Sequence, residues 1–437
     1  MTAWVMRWHR RLSLLAGVSL LLWASSGLLH PLMSWTNPRP AAMAPPVGEP
    51  LDLPAQPPVL AEPAGILRLL RQDGRVLWQR ASSDRQQLRY VDAASGEPVA
   101  GADRERAILL ARHYTGLAVE PLASVVEVRH YDREYPAVNR LLPAWRVEFA
   151  DARGLTAYVS TGEDRLASLT DRRKRLLLTL FQTVHTLDFL DGAEGLRLGL
   201  GLSAVGSVLA MAMLGIGLLL RLRRRSAAPQ ARRWHRGLAW IAWAPVLMFS
   251  ASGLFHLLRL SPLLLPAPAV PAQAVQGPLS WPGELAGARS LSLLPLGEGS
   301  AVWRARYDAK RLRLFDARSG APLADEAALA RRLAGAGASA DARLQAGFSD
   351  EYGFANKRLP VWRIEGEGER VFVDTAFGLV AARAGGLDVA EQWSFSSFHK
   401  WQFLDPLGKA WRDAILSLGA VLGLLAAGFG LSLRRRR

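Results

Sequence analysis

The side chains best suited to chemistry are histidines, eight in all, and six of them fall at matching places in the two halves of the chain. Residues 8–30 open on Trp8-His9-Arg10, run through an apolar stretch and close on Ser26-Gly27-Leu28-Leu29-His30. Residues 234–256 open on Trp234-His235-Arg236 and close on Ser252-Gly253-Leu254-Phe255-His256. The third pair is His185 and His399: segments 181–191 and 395–405 each begin with Phe, carry His four residues on and end Phe-Leu-Asp. His113 and His130 have no counterparts and read as ordinary surface or packing residues.

In both long stretches 21 positions separate the two histidines. At about 1.5 Å per helical residue that is roughly 31 Å, the thickness of a bilayer's hydrocarbon core. Twenty-one residues is close to six turns, so both rings sit within about 60° of one helix face. An ionisable ring in or beside a membrane span is costly and is by default a functional hypothesis. The plainer reading, a ring resting among headgroups beside Trp8 or Trp234, serves one histidine better than three matched pairs.

Two neutral imidazoles on facing helices suit the axial positions of haem b, which needs no cysteine. Gly27 and Gly253 lie three residues before His30 and His256, and small residues there let a porphyrin plane approach the backbone. A proton relay is a rival, but relays in membranes enlist acidic groups, and these spans have almost none between their ends. A zinc site, another rival, wants three or four ligands close together. Depth sorts the six. His9 and His235 lie at the cytoplasmic edge, where one bis-His haem would bridge spans 1 and 3. His30, His185, His256 and His399 lie at the outward edge, enough for one or two more haems. Pairing there is open between within-half (His30 with His185) and cross-half (His30 with His399). Centres at both edges make an electron path across the membrane.

The elements that must position these rings follow from composition. Half of the 437 residues are apolar, and four runs are too long and uncharged for ordinary core helices, near 13–34, 198–220, 237–258 and 414–433. The net charge of +16 is not spread over a soluble face, so it is no nucleic-acid footprint. Arg7, Arg10 and Arg11 precede the first run. Arg221, Arg223, Arg224, Arg225, Arg232, Arg233 and Arg236 fill the loop between the second and third, and Arg434 to Arg437 end the chain. Positive residues in short segments mark the cytoplasmic side. The expected order is a cytoplasmic N-terminus and first span at 1–35, a periplasmic domain at 36–196, and a second span at 197–221. A basic cytoplasmic loop at 222–236, a third span at 237–259, a second periplasmic domain at 260–412, and a fourth span with basic tail at 413–437 complete it. The first span has no small-x-small cleavage site and reads as an uncleaved anchor, not a signal peptide. The setting expected is the inner membrane of a bacterium, among its lipids.

Asn37 to Leu60 and Pro262 to Pro282 are proline-rich and read as extended linkers. Strand-like Leu88 to Asp92, turning through Ser95-Gly96, matches Leu312 to Asp316, turning through Ser319-Gly320. Helix-like Arg104 to His113 matches Glu326 to Leu333. Asn139 to Glu148, with Pro143, Trp145 and Arg146, matches Asn356 to Glu365, with Pro360, Trp362 and Arg363. Strands Leu155 to Ser160 and Arg370 to Asp374 close each unit. The fold class expected is an α-helical membrane protein with four spans, a tandem duplication carrying two outward α+β domains. A pseudo-two-fold axis along the membrane normal would relate span 1 to span 3 and span 2 to span 4.

With no cysteine there are no disulfides, thiolate metal sites, iron–sulfur clusters or thioether-linked haem. No glycine-rich nucleotide loop, Walker loop, nucleophile elbow or acidic metal cluster appears. Electrons would therefore come from a quinol or a partner in the membrane.

The duplicated span, the Leu-Pro-x-Trp-Arg-hydrophobic-Glu strand, the Tyr158-Val159-Ser160-Thr161-Gly162 and Phe372-Val373-Asp374 strands, and the Val-His and Phe-His segments before a span carry a resemblance. They resemble the PepSY-associated transmembrane proteins, and among those the inner-membrane ferric-siderophore reductases. The likeness covers nearly the whole chain through the order of its motifs. It implies four spans, intertwined periplasmic PepSY-like domains, haem b on His9, His30, His185, His235, His256 and His399, and reduction of siderophore-bound Fe(III) in the periplasm. It also implies periplasmic siderophore-binding proteins as partners. Asp374-Thr375-Ala376-Phe377-Gly378 stands where a Thr-Gly turn is usual, which sets the second unit apart from the first. Tyr131, Tyr135, Tyr352, Phe354 and Trp401 are candidate docking groups for which domain core is the favoured reading. PepSY-like domains also resemble inhibitory propeptides, so the alternative is a non-enzymatic regulator of periplasmic peptidases or envelope processes. A siderophore- or metal-handling permease subunit is a third.

Overall fold

A computed structural model describes residues 2–58, 60–81, 87–221, 229–260, 275–296, 300–308, 311–323, 325–349, 351–353, 358–366 and 368–435. Arg223, Arg224 and Arg225 of the basic loop, residues 262–274 of the second proline-rich stretch, Phe354, Asn356, Arg436 and Arg437 lie outside the described residues. The helices are α1 (Thr2–Gly27), α2 (Leu29–Thr36), α3 (Ala102–Thr115), α4 (Arg172–Phe181), α5 (Glu194–Arg221), α6 (Gln230–Leu260), α7 (Glu326–Ala334), α8 (Gly386–Ser394) and α9 (Lys409–Arg435). The chain divides into a helical unit (Met1–Asn37, Arg173–Pro268, Leu387–Arg437) and a sheet unit (Pro38–Arg172, Ala269–Gly386).

Four helical stretches are long and apolar enough to cross a membrane: Ala3–Thr36, Glu194–Arg221, Gln230–Arg259 and Lys409–Leu433. Their apolar side chains face two ways. On α1, Leu14, Leu15, Val18 and Leu22 are exposed while Val5, Ala16, Ser19 and Ser26 are buried, as for a helix between lipid and neighbours. Exposed Trp4, Trp8 and Trp234 ring one end, and Trp35, Trp393 and Trp411 the other. Trp8 and Trp35 are 27 residues apart, about 40 Å along a helix, which matches a bilayer with its interfacial layers.

Helices α1 and α6 each pack on both α5 and α9, so they stand across from one another in a four-helix ring. Neighbours run antiparallel. A Cβ at Gly17 would meet Leu431, one at Gly201 would meet Leu257, and Trp35 donates to Asp413 Oδ2 at 3.2 Å. The start of α1, the end of α5, the start of α6 and the end of α9 therefore share one edge, here the terminal edge.

The sheet unit holds β1 (Leu60–Ala64), β2 (Ile66–Gln72), β3 (Arg75–Ala81), β4 (Leu88–Asp92), β5 (Leu122–Val128), β6 (Ala144–Phe149), β7 (Thr156–Ser160) and β8 (Arg165–Thr170) from the first half. From the second come β9 (Val275–Gly277), β10 (Ser290–Pro295), β11 (Ala301–Arg306), β12 (Leu312–Asp316), β13 (Ala342–Gln345), β14 (Val361–Glu365), β15 (Glu369–Asp374) and β16 (Leu379–Gly385). Two antiparallel sheets, β5-β6-β7-β8 and β13-β14-β15-β16, each carry a helix, α3 or α7, through a core of small and branched residues. The third sheet, β12-β11-β10-β2-β3-β4, draws three strands from each half and joins them at Leu69↔Leu291 and Leu67↔Leu293. A two-residue Asp73-Gly74 turn with both φ positive closes the β2–β3 hairpin, the geometry that matches strand twist. Trp78 of the first half stacks on Trp281 of the second, which packs on Trp303. Gly320, in the turn after β12, admits no side chain because a Cβ would lie 2.7 Å from Trp281 O.

One turn ties these sheets together. Asp164 accepts from Arg68 Nη1 and Arg106 Nε, both at 2.7 Å, so it fastens β2 and α3 to the β7–β8 turn. Its neighbour Glu163 is paired with Arg358 at 2.5 Å, and Arg165 with Asp374 at 2.8 Å, both in the second half. Asp374, which stands where the first unit has Ser160, is fully buried and lies 3.4 Å from Arg358 as well, so it receives both cations. Burial works to raise the Asp164 carboxyl, but Arg106 and then Arg68 more than reverse this and hold it below the usual carboxylate range. A carboxyl more acidic when folded than unfolded stabilises fully above its unfolded value, about 4, and that stability is lost as pH falls through the lower folded value. Asp164→Asn leaves two buried guanidinium groups uncompensated and costs about 3–5 kcal/mol. Thermal unfolding of the detergent-solubilised chain should fall accordingly at pH 7, and the variant should lack the wild type's additional loss below about pH 4.

Candidate functional site

All six repeat-related histidines lie in the helical unit. His9 of α1 and His235 of α6 meet at the terminal edge, ring centres 6.4 Å apart and planes at 69°. Two imidazoles bound to opposite sides of one metal through bonds of about 2 Å hold their ring centres roughly 6 Å apart. His235 Nδ1 lies 2.9 Å from Ala426 O of α9, an acceptor only, so Nδ1 carries the proton and Nε2 the lone pair. Gly430 lets the ring lie there: a Cβ would come within 3.0 Å of His235 Cε1.

The other four histidines lie at the opposite edge. His185 and His399 sit in single π-helical turns, 182–186 and 395–399, that continue α4 and α8. The chain leaves those turns through Leu187 and Trp401 at φ +55° and +52°, left-handed conformations unusual for such side chains. Ser26 Oγ is 3.1 Å from His185 Nδ1 and its hydroxyl donates to Trp23 O, so it accepts from the ring. Ser252 Oγ stands 3.3 Å from His399 Nδ1 and donates to Met248 O in the same way. His256 Nδ1 donates to Glu391 Oε1 at 2.5 Å. Four of the six rings are thereby held in one tautomer, Nδ1 engaged and Nε2 bearing the lone pair. That is the usual state of a metal-ligating histidine.

His185 and His399 lie outside the spans themselves. Burial pulls His185 from its ordinary 6.5 to about 4, with His30 adding to the effect. Burial takes His399 to about 3, helped by His185, His256, Lys400 and His30. His30 and His256 both act on His399, so four rings from both halves share one neighbourhood, and His185 and His399 are neutral at pH 7, as ligands must be. Within each half a phenyl ring intervenes. Phe395 stacks on both His256 and His399, at 4.1 and 4.6 Å; Phe181 stacks on His185 at 4.6 Å and lies 6.2 Å from His30. These phenyl rings cover the faces of the imidazoles and leave their in-plane Nε2 edges, the direction in which a metal would bind, to other neighbours. Among the described residues no group of three or more His, Asp or Glu side chains is placed to hold one metal ion, so the arrangement is one of pairs.

Several residues take roles the sequence did not suggest. Gly27 and Gly253 face His185 and His399, at 3.7 and 3.8 Å for a built Cβ, instead of the His30 and His256 that follow them. Ser26 and Ser252 were visible as part of the duplicated stretch, but only packing reveals which ring each serves. Glu391, Ala426 O and Gly430 carried no signal. Of the docking candidates, Tyr135 and Tyr352 are fully buried and Trp401 nearly so, which is packing, while Tyr131 is 40% exposed. His113 Nε2 lies 2.9 Å from Ala44 O, a surface contact, and His130 is exposed.

Ser26→Ala would strip His185 Nδ1–H of its acceptor and cost about 1–3 kcal/mol. Thermal unfolding in detergent should register the loss, and Ser26→Thr, which keeps the hydroxyl, should recover most of it.

A search of curated proteins and a search of solved structures each returned no match. A family model described as the PepSY-associated TM region matches residues 6–288, more than half of the chain, from the first span through the third and into the second half of the sheet unit. The protein is a membrane protein of the PepSY-associated transmembrane family.

Proposed function

We propose that this protein is a haem b-containing reductase of the bacterial inner membrane that passes electrons outward to Fe(III)-siderophore in the periplasm and releases Fe(II). The observation that carries the reading is the His9–His235 pair, at the ring separation of two ligands on one metal, on helices that face each other across the bundle. The residues fit the group: four of the six imidazoles, at both edges of the spans, have Nδ1 anchored and leave Nε2 to face a metal. His9 and His235 would hold one haem, and His30, His185, His256 and His399 one or two more. When bound, haem b supplies a carrier of single electrons at each edge.

The chain's own part is positional. Its basic segments put the terminal edge in the cytoplasm, so the sheet unit is periplasmic, and we read the two halves as a tandem duplication. Apolar spans keep water from the rings, and the four-helix ring sets the distance between edges. A quinol or another membrane donor gives up its electrons one at a time, each reducing one Fe(III) to Fe(II). Siderophores hold hard Fe(III) through oxygens, and softer Fe(II) binds them less well, so each electron loosens one chelate. Periplasmic siderophore-binding proteins are the expected suppliers.

The test is a dithionite-reduced minus oxidised visible spectrum of the purified chain, with haem quantified. At least two haems per chain with a b-type α-band are expected. His9→Ala and His235→Ala should each remove the same haem, and the double variant should lose no more than either alone. Protein without haem from haem-replete cells would overturn the reading and leave the non-enzymatic regulator.

A further inference from the structure

Glu391 stands out because the matching place in the first half cannot do what it does. It lies four residues before Phe395, and four residues before Phe181 the chain has Leu177. Glu391 is 5% exposed and accepts Nδ1–H of His256 at 2.5 Å. Arg259 of α6 pairs with Asp388 one turn away on α8, so the end of α6 is pinned to α8 on both sides of the contact. His235 donates to a neutral carbonyl, and His185 and His399 donate to neutral hydroxyls. Among these four rings, His256 alone gives its proton to a carboxylate.

We infer that Glu391 is a positioning residue that lowers the reduction potential of one outward haem, so that the two halves are unequal carriers. The inference rests on the haem reading above. A carboxylate accepting Nδ1–H raises the basicity of Nε2 and fixes the ring's orientation. A more basic axial ligand favours ferric over ferrous iron, because the higher charge gains more from the added electron density. The site served by His256 is then the stronger reductant, the property wanted where an electron is handed to a ferric chelate.

The experiment is a potentiometric titration of haem absorbance in the full chain in detergent, for wild type, Glu391→Gln, Glu391→Asp and the matched Leu177→Gln. Glu391→Gln keeps an acceptor but removes the charge. It should raise the ferrous-to-ferric ratio of one haem about tenfold at fixed ambient potential, 59 mV for a one-electron couple. Leu177→Gln should move no potential. Full haem content with unchanged potentials in Glu391→Gln, or an equal shift of every haem, would overturn the inference while leaving the haem reading intact. Should Glu391→Gln fail to accumulate, Glu391→Asp decides: its shorter arm lengthens the contact, so a smaller rise in the same haem supports the inference and no change sinks it. A wild type that binds no haem overturns the function proposal first, and this inference with it.

Discussion

An imidazole inside an apolar bundle has two nitrogens to account for, and the helical unit is arranged around that requirement. A buried N–H without an acceptor costs as much as a lost hydrogen bond, and no water is at hand to replace it. Ala426 O, Ser26 Oγ, Ser252 Oγ and Glu391 each take one Nδ1–H. Each comes from a helix other than the one bearing the ring. Ala426 lies on α9 and serves a ring of α6, while Ser26 and Ser252 reach from α1 and α6 to the turns before α5 and α9. The hydrogen bonds that set the tautomers are thus also contacts that lock neighbouring helices in register.

The same economy operates in the sheet unit with charge in place of imidazole. Glu163, Asp164 and Arg165 are consecutive, yet Asp164 faces Arg68 and Arg106 of its own half while Glu163 and Arg165 face Arg358 and Asp374 of the other. Buried ion pairs of this kind add little net stability against a well-packed apolar alternative, but breaking one leaves a lone buried charge. They enforce one pairing of the halves and penalise slippage. The shared six-stranded sheet does so by hydrogen bonds, and the packed Trp78, Trp281 and Trp303 by area. Three unlike interactions converge on the same junction.

The two halves match in outline and differ in chemistry. Both carry a π-turn with Phe and His, a left-handed residue after it, and a serine–glycine pair against the ring. They part at Trp23, which donates to His185 O, where the second half has Phe249 stacked on Trp401. They part again at Glu391, facing Leu177, and at Asp413, a buried carboxylate on α9 with Trp35, Lys409 and Arg412 as partners, where α5 has glycine.

The sequence determined the four spans, because an unbroken apolar run longer than a globular core can use has few other homes. It determined the six histidines as a set, because matched spacing in two halves repeats the signal. The strand segments 88–92, 312–316, 155–160 and 370–374 were legible from alternation and turn residues, and the structure has strands there. What the sequence left open was partnership. Whether His30 stands nearer His185 or His399, which ring Gly27 faces, and that β2 pairs with β10 of the other half all depend on contacts between distant residues, to which local periodicity is blind. The tautomers of four of the rings and the place of Glu391 were decided only when the helices packed. A hydrogen bond needs its partner within about 3 Å, and no spacing along one chain can set that distance between two helices.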